Sequence, residues 1–98
     1  MIIVIVEHFL TNEGRSSFPG WLASARKTLS LFDGYIDLDI IKDLDRPHRL
    51  LLRLRFDNLE NLRTWSSSQE HHDLLFLLAD KRIKKQISQL YEVVNDTP

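Results

Sequence analysis

The side chains with the clearest chemical potential in this 98-residue chain are its four histidines, and His8 stands apart from the others. It follows the apolar run that begins at Ile2, and strand alternation places it on the same face as Val4 and Val6. An imidazole there could accept a proton from a phenol, because its reference pKa is about 6.5. The alternative, a hydrogen-bonded histidine at the water-exposed end of the strand, stays open.

The remaining histidines do not form a metal site. His71 and His72 are adjacent, so on a helix they diverge by about 100° and cannot chelate one ion. No two histidines have the four-residue spacing that places both imidazoles on one helical face. The chain has no cysteine, which excludes disulfides, thiolate catalysis and zinc–sulfur sites. We therefore expect no bound metal, and we expect His72 and His48 to be solvated.

Three further features have both a functional and a structural explanation. Trp65 shares an apolar helical stripe with Leu62, which fits a core residue as well as a pocket wall. Asn61 lies one turn earlier, and exposed asparagine is common. The basic run at 81–85 suits a solvated turn, from which Lys85 could reach an anionic ligand. The three scattered glycines form no phosphate-binding loop, so no dinucleotide or flavin cofactor is expected.

The elements that position these residues follow from hydrophobic periodicity and capping signals. We expect strands over 2–10, 35–43, 49–56 and 85–94, with a helix over 12–32, a short helix capped by Asn58, and another started by a capping box at Ser67. Pro19 should lie in the first turn of its helix, where its missing N–H costs nothing. The last four residues, 95–98, are expected to fray.

Opposite charges predict how the two middle strands pair. One register places aspartates opposite arginines at three positions: Asp37 with Arg55, Asp39 with Arg53, and Asp43 with Arg49. The same register places apolar residues opposite each other: Ile36 with Phe56, Leu38 with Leu54, and Ile40 with Leu52. A slip by one residue would set carboxylates against leucines. We therefore expect one apolar face on helices and one face with a ladder of opposite charges.

The order of elements predicts a single α+β domain over residues 1–98. The β-α-β-β-α-β order is that of a ferredoxin-like fold, with an antiparallel sheet and helices on one face only. The other face would then expose apolar side chains: Ile3, Ile5, Ile41 and Leu51. A bare apolar sheet face is unusual for a monomer, so we expect a homodimer in which a second copy covers it.

Charge and composition make nucleic acid and membranes poor partners. Thirteen basic and 14 acidic side chains give a net charge of −1, which exerts no long-range attraction on phosphates. The apolar run at 2–6 is too short to span a bilayer and lacks the features of a signal peptide. We expect a cytoplasmic protein.

Three segments resemble the antibiotic biosynthesis monooxygenase-like domains. In the stretch 62–71, Trp65 is followed three residues later by Ser68 and six residues later by His71, as in the signature helix of that family. The segments Glu7–Phe9 and Phe32–Ile36 also look like the family. The resemblance implies a dimeric α/β barrel with a pocket between sheet and helices.

The resemblance also implies which residues line that pocket, namely His8, Asn61, Trp65 and His71. His71 stands where cofactor-free oxygenases of the family can carry tyrosine. Those enzymes hold an anionic aromatic that itself passes an electron to dioxygen, whereas other members degrade haem. The haem-degrading relatives carry asparagine at the position of His8 and an iron-binding histidine at the position of Leu75.

The function that we expect from the resemblance is cofactor-independent monooxygenation of a small aromatic or quinol. The alternative is a non-catalytic dimer of the same fold that binds a small molecule or regulates. Haem binding or degradation is a third possibility, and the leucine at position 75 argues against it.

Overall fold

The chain folds as one antiparallel sheet with helices on one face. A computed structural model describes residues 1–94, so the four residues expected to fray lie outside the described range. The elements are β1 (Ile2–Leu10), α1 (Asn12–Leu29), β2 (Tyr35–Ile41), β3 (Leu50–Phe56), α2 (Leu59–Ser66), α3 (Gln69–Phe76), a 3-10 turn (Ala79–Lys81) and β4 (Arg82–Glu92).

The sheet has the strand order β2-β3-β1-β4, with every neighbouring pair antiparallel. β1 therefore lies in the interior of the sheet, and β2 and β4 are its edges. The first and last elements, β1 and β4, are hydrogen-bonded to each other in the sheet. The expected ferredoxin-like α+β architecture is confirmed.

The hydrophobic core lies between the sheet and the helices. Phe56 at 0% exposure and Phe18 at 2% are among its most deeply buried members. Alternate strand residues face the helices, and the helices present their apolar stripes in return; the buried set includes Val4, Leu38, Leu52, Leu54, Leu22, Ala25, Leu29, Leu62, Trp65 and Leu74. Because alternate residues of each strand and one face of each helix point into this layer, the candidate site lies in the same layer as the core.

The hairpin of β2 and β3 has the predicted register over most of its length. Asp37 pairs with Arg55 and Asp39 with Arg53, as the charges predicted. Asp43 and Arg49 lie beyond the strand ends but still form an ion pair, with 2.7 Å between Oδ2 and Nη1. The prediction fails at one end, where a bulge makes Tyr35 rather than Ile36 the partner of Phe56.

Gly34 accounts for that bulge. It has a φ of +81°, a left-handed conformation that favours glycine, and its carbonyl accepts a hydrogen bond of 2.9 Å from the Asp57 amide. A Cβ at this position would overlap the side chains of Asp57 and Asn61. The tight turn therefore places Tyr35 opposite Phe56, where the charge pattern alone places Ile36.

Pro19 does not lie in the first turn of α1, contrary to the sequence prediction. The helix begins at Asn12 because the Thr11 side chain accepts a hydrogen bond from the Gly14 amide, and this cap sets the start well before the proline. Pro19 is exposed, so its ring and the carbonyl that it leaves unpaired face water rather than the core.

Three other boundaries differ from the prediction by one to three residues. The cap of α3 is Ser68, whose Oγ accepts from the His71 amide at 3.1 Å, whereas Ser67 ends α2. β4 begins at Arg82 rather than at residue 85, because Arg82 pairs with Leu10 across the sheet. α1 ends at Leu29 rather than at residue 32.

The sheet face opposite the helices combines apolar and paired charged side chains. Its register places Ile3, Ile5 and Glu7 of β1 on one face with Leu51 of β3. Arg49 joins two carboxylates there, at 2.8 Å from Glu7 and 2.7 Å from Asp43. These ion pairs hold the pKa of Glu7 and Asp43 below their ordinary values. We call this surface the open face.

In the part of the chain that the structure describes, each helix is too short or too polar to cross a bilayer.

Replacing Gly34 by alanine should lower the free energy of unfolding by about 2 kcal/mol, because it forces a left-handed conformation and a clash on one residue. The matched control is Gly20→Ala in the exposed middle of α1, where an added Cβ meets nothing within 4 Å. In that variant the free energy of unfolding should rise by about 0.5–1 kcal/mol. Urea denaturation of both variants measures the difference, and equal effects would contradict the assigned turn.

Candidate functional site

An apolar cavity of about 110 Å³ lies between the helix-covered sheet face and the three helices. Aliphatic side chains of β1, β2, β3, α1 and α3 form most of its wall. Four polar side chains reach it: His8 from β1, His71 from α3, and Gln86 and Ser88 from β4. A concave apolar space with few polar groups is the usual form of a small-molecule site.

His8 is the most deeply buried polar residue of the cavity, with 3% exposure. The sequence left a choice between a residue on the pocket side and a hydrogen-bonded histidine at a wet strand end. The ring faces the cavity, and its centroid lies 5.4 Å from that of Phe18 and 5.6 Å from that of Trp21. Within residues 1–94 no protein group hydrogen-bonds the imidazole, and its nitrogens stay accessible from the cavity, because Arg53 Nε is the one buried side-chain polar atom there without a partner. A buried polar ring without a protein partner is available to a ligand.

Burial changes the acid–base chemistry that the sequence predicted for His8. Desolvation lowers its pKa from 6.5 to about 4, and the nearby positive charge of Arg82 adds to the effect. The imidazole is therefore neutral at pH 7, with a hydrogen-bond acceptor nitrogen and a donor nitrogen. It is a much weaker base than the reference pKa suggested.

Trp65 and His71 meet at the opposite wall of the cavity. Their rings are edge to face with centroids 5.2 Å apart. Ser68, which lies between them in sequence, caps α3 and so fixes the first turn that carries His71. Burial lowers the pKa of His71, against a hydrogen bond to the Ser66 backbone that raises it. The Trp65, Ser68 and His71 spacing therefore has a physical purpose, because it holds an imidazole against an indole.

Trp65 is both core and cavity wall, so the two explanations of it do not exclude each other. It is 4% exposed, packs edge to face on Phe32 with 4.9 Å between ring centroids, and also lines the cavity. Truncating this side chain would therefore disturb folding as well as any bound ligand.

Trp21 also lines the cavity, which its place on the apolar stripe of α1 does not by itself indicate. Its indole stacks on Phe18 with 5.2 Å between ring centroids, and its Nε1 donates a hydrogen bond of 2.8 Å to the Leu74 carbonyl. That bond ties α1 to α3 and fixes the indole plane. Periodicity shows that such a residue faces inward but not whether it faces a packed core or a cavity.

Gln86 and Ser88 were also missed, and here the sequence contained part of the signal. Ser88 pairs with Val6, so the parity of β4 places both polar residues on the helix side of the sheet. The predicted strand over 85–94 contained both residues, but the face that they occupy follows only from the pairing of β4 with β1.

Asn61 does not line the cavity, which corrects the sequence prediction. Its Nδ2 donates a hydrogen bond of 2.9 Å to Asp57 Oδ1, and its side chain lies against the turn at Gly34. It borders a separate surface depression with Phe32 and Thr64. The Asp57 carboxylate holds the amide at the start of α2, so Asn61 and Trp65 lie one helical turn apart but do not share a site. We assign Asn61 a structural role.

The residues of the cavity do not suit haem. Leu75, at the position of the iron-binding histidine in haem-degrading relatives, lines the cavity with an apolar side chain. The cavity volume of about 110 Å³ is below the roughly 150 Å³ of an engineered cavity that binds benzene, and a macrocycle of four pyrroles is far larger. Within residues 1–94 no three His, Asp or Glu side chains are grouped to hold a metal ion.

Comparison with known proteins finds similarity in structure but none in sequence. No protein-family model matches the chain, and no curated protein matches it. Among solved structures, a candidate antibiotic biosynthesis monooxygenase from Deinococcus radiodurans has a TM-score of 0.82 at 17% identity, covering 100% of this chain and 97% of its own. The chain has the antibiotic biosynthesis monooxygenase-like fold.

Two further structures agree with this fold. A protein from Nitrosomonas europaea with the same description has a TM-score of 0.80 at 15% identity, covering 97% of this chain and 100% of its own. A Bacteroides thetaiotaomicron protein of unknown function, named as a possible oxidoreductase, has a TM-score of 0.76 at 12% identity, covering 94% and 96%. At these identities the likeness establishes the fold alone.

The depressed pKa of His8 predicts how stability depends on pH. Between about pH 6.5 and pH 4 the unfolded chain binds a proton on His8 that the folded chain does not, so stability falls as pH falls through this window. From pH 7 to pH 4.5 the free energy of unfolding should fall by about 2 kcal/mol more in the wild type than in His8→Phe, which has no imidazole at this position. Urea denaturation at the two pH values measures this.

The control for that measurement is His48→Phe, in the exposed loop between β2 and β3. It should show the same pH dependence as the wild type. Parallel pH curves for the wild type and His8→Phe would mean that His8 is not buried as described.

Proposed function

We propose that the protein is a cofactor-independent monooxygenase that oxidises a small phenol or quinol in this cavity. The observation that carries the proposal is the enclosure of His8, Trp65 and His71 around one apolar space. An apolar, aromatic-walled site favours a flat ring, and its few polar groups can orient one ring oxygen.

The reaction balances without any added reductant. The substrate gives one electron to dioxygen and its hydroxyl proton to His8, and the resulting phenoxyl radical and superoxide combine through a new carbon–oxygen bond. His8 returns the proton to the peroxide. The peroxide then loses the ring proton at that carbon while its oxygen–oxygen bond breaks. One phenol and one dioxygen thus give one quinone and one water. The protein needs only to bind the ring, hold its oxygen and exclude bulk water.

His8 suits the proton-accepting step only if proton and electron leave together. Taking a proton from an intact phenol, whose pKa is about 10, onto an imidazole of pKa about 4 would be uphill by roughly 8 kcal/mol. A phenol that has given up an electron is a strong acid, so even this weak base can take its proton. We therefore assign His8 the role of hydrogen-bond acceptor for the substrate hydroxyl and acceptor of its proton on oxidation.

Oxygen uptake with a panel of single-ring quinols tests the proposal. The wild type should exceed the uncatalysed rate, and His8→Ala should reduce kcat/KM about 100-fold, the usual size of a lost proton-transfer group. His48→Ala, which replaces an exposed histidine outside the cavity, should retain wild-type activity. Circular dichroism checks that each variant is folded.

Absence of turnover across the panel would contradict the proposed reaction. Full turnover by a His8→Ala, Trp65→Ala double variant would equally place the chemistry elsewhere.

The second candidate function is binding without turnover, as in a regulatory dimer. The low pKa of His8 favours this binding function, because a weakly basic, neutral imidazole is better suited to hydrogen-bonding a ligand than to removing its proton. Tight binding of a ring compound with no oxygen consumed would support this function over the first.

We propose further that a second copy covers the open face. The face carries exposed apolar side chains of β4, including Ile87 and Tyr91 at 51% each, beside Ile3 and Ile5 of β1. Its arginines are already paired with carboxylates, as with Arg55 and Asp37. A second copy can therefore bury the face without leaving a charge unpaired.

Ile87→Asp should convert a dimer into a monomer, because it places a charge in the proposed interface. Ile40→Asp is the matched control, with 49% exposure on the helix side of the sheet. Sedimentation at working concentration should give twice the chain mass for the wild type and the control. A wild type that is a lone subunit at every concentration, or two variants that behave alike, would contradict the proposal.

A further inference from the structure

We propose that the ligand of the cavity is a single aromatic ring with an anionic arm of the carboxylate class, and that Arg82 and Lys85 bind the arm. The inference specifies the substrate class of the proposed oxygenase, and so rests on that proposal for its site. It stands on the shape and charge of the surface beside the cavity.

A shallow groove adjoins the cavity between α3 and the start of β4. Two residues, Leu75 and Gln86, line both the cavity and the groove, so the two spaces meet at these side chains. The remaining groove residues are His72, Phe76, Ala79, Arg82 and Lys85. A ligand that extends beyond the cavity in this direction therefore enters the groove.

The groove carries two cations and no carboxylate. Within residues 1–94 neither Arg82 nor Lys85 has a carboxylate within ion-pair distance, whereas Arg49, Arg53 and Arg55 of the open face are each paired. Arg82 is partly buried, and its Nη1 donates a hydrogen bond of 3.2 Å to Gln86 Oε1. This contact holds the guanidinium beside the junction, where an anion would meet its other donors.

The cavity volume limits how much of the ligand lies inside. At about 110 Å³ the cavity is smaller than the engineered cavity of roughly 150 Å³ that holds benzene, so it admits at most one six-membered ring. Substituents beyond that ring must leave through an opening, and the groove supplies one whose charge selects an anion.

The anion would also affect the chemistry at His8. Arg82 is near enough for its charge to disfavour protonation of the imidazole. A carboxylate bound at Arg82 cancels part of that repulsion, so the bound ligand would itself make His8 a better proton acceptor.

The test compares two ligands that differ only in charge, para-hydroxyphenylacetate and para-hydroxyphenylacetamide. Both tryptophans of the chain line the cavity, so quenching of their fluorescence reports binding directly. The wild type should bind the carboxylate about tenfold more tightly than the amide, as expected for one charge-assisted contact at a partly exposed site. The preference should shrink as salt increases.

Arg82→Gln and Lys85→Gln, singly and together, should abolish the preference while leaving the affinity for the amide nearly unchanged. Lys84→Gln is the matched control: it removes the same charge from the same strand, but Lys84 lies over the ring of Phe9, 4.2 Å from its centroid, and does not line the groove. It should keep the full preference. Lys85 is exposed, so its variant remains informative if Arg82→Gln fails to fold.

Equal affinity for the two ligands, undetectable binding of both, or a preference that survives the double substitution would overturn the inference. Failure of the oxygenase proposal is distinguishable, because this assay requires no turnover. A carboxylate preference without oxygen uptake would support the inference and contradict only the reaction. Turnover of neutral quinols without a carboxylate preference would support the reaction and contradict the inference about the anionic arm.

Discussion

The packing of helices against only one face of the sheet is the constraint on which the rest of the molecule depends. In β1, Val4 and His8 turn toward the helices, and Ile3 and Ile5 turn away. A chain of this length supplies one layer of helices, so alternation along a single strand determines which residues meet in the core and which remain on the open face. The cavity and the proposed dimer surface are two consequences of that division.

The cavity departs from close packing where the polar groups collect. A buried imidazole without a hydrogen bond from the protein is costly, and replacing it by an apolar ring would be the simpler way to fill the space. Departures of this kind are expected where a site serves a function other than stability. Arg82 adds to the cost, because its charge lies near the same imidazole.

The fold of this chain requires a specific residue type at only a few positions. Ser68 caps α3, and Gly34 adopts the one turn conformation that a Cβ would disfavour. Each acts through backbone geometry at a single position, and most other positions need only an apolar or polar character. The same reasoning separates Asn61, held by Asp57 beside the turn, from the residues that face the cavity.

The sequence by itself determined the element order, most of the register of the charged hairpin and the strand face that His8 shares with Val4 and Val6. These follow from alternation, periodicity and cross-strand charge, which are local or pairwise. Only the tertiary structure decided that Asn61 lies outside the cavity, that Trp21 and Gln86 line it, and that the pKa of His8 is about 4. Those properties depend on how distant elements enclose space, and the free energy of a buried group depends on neighbours that no local pattern specifies.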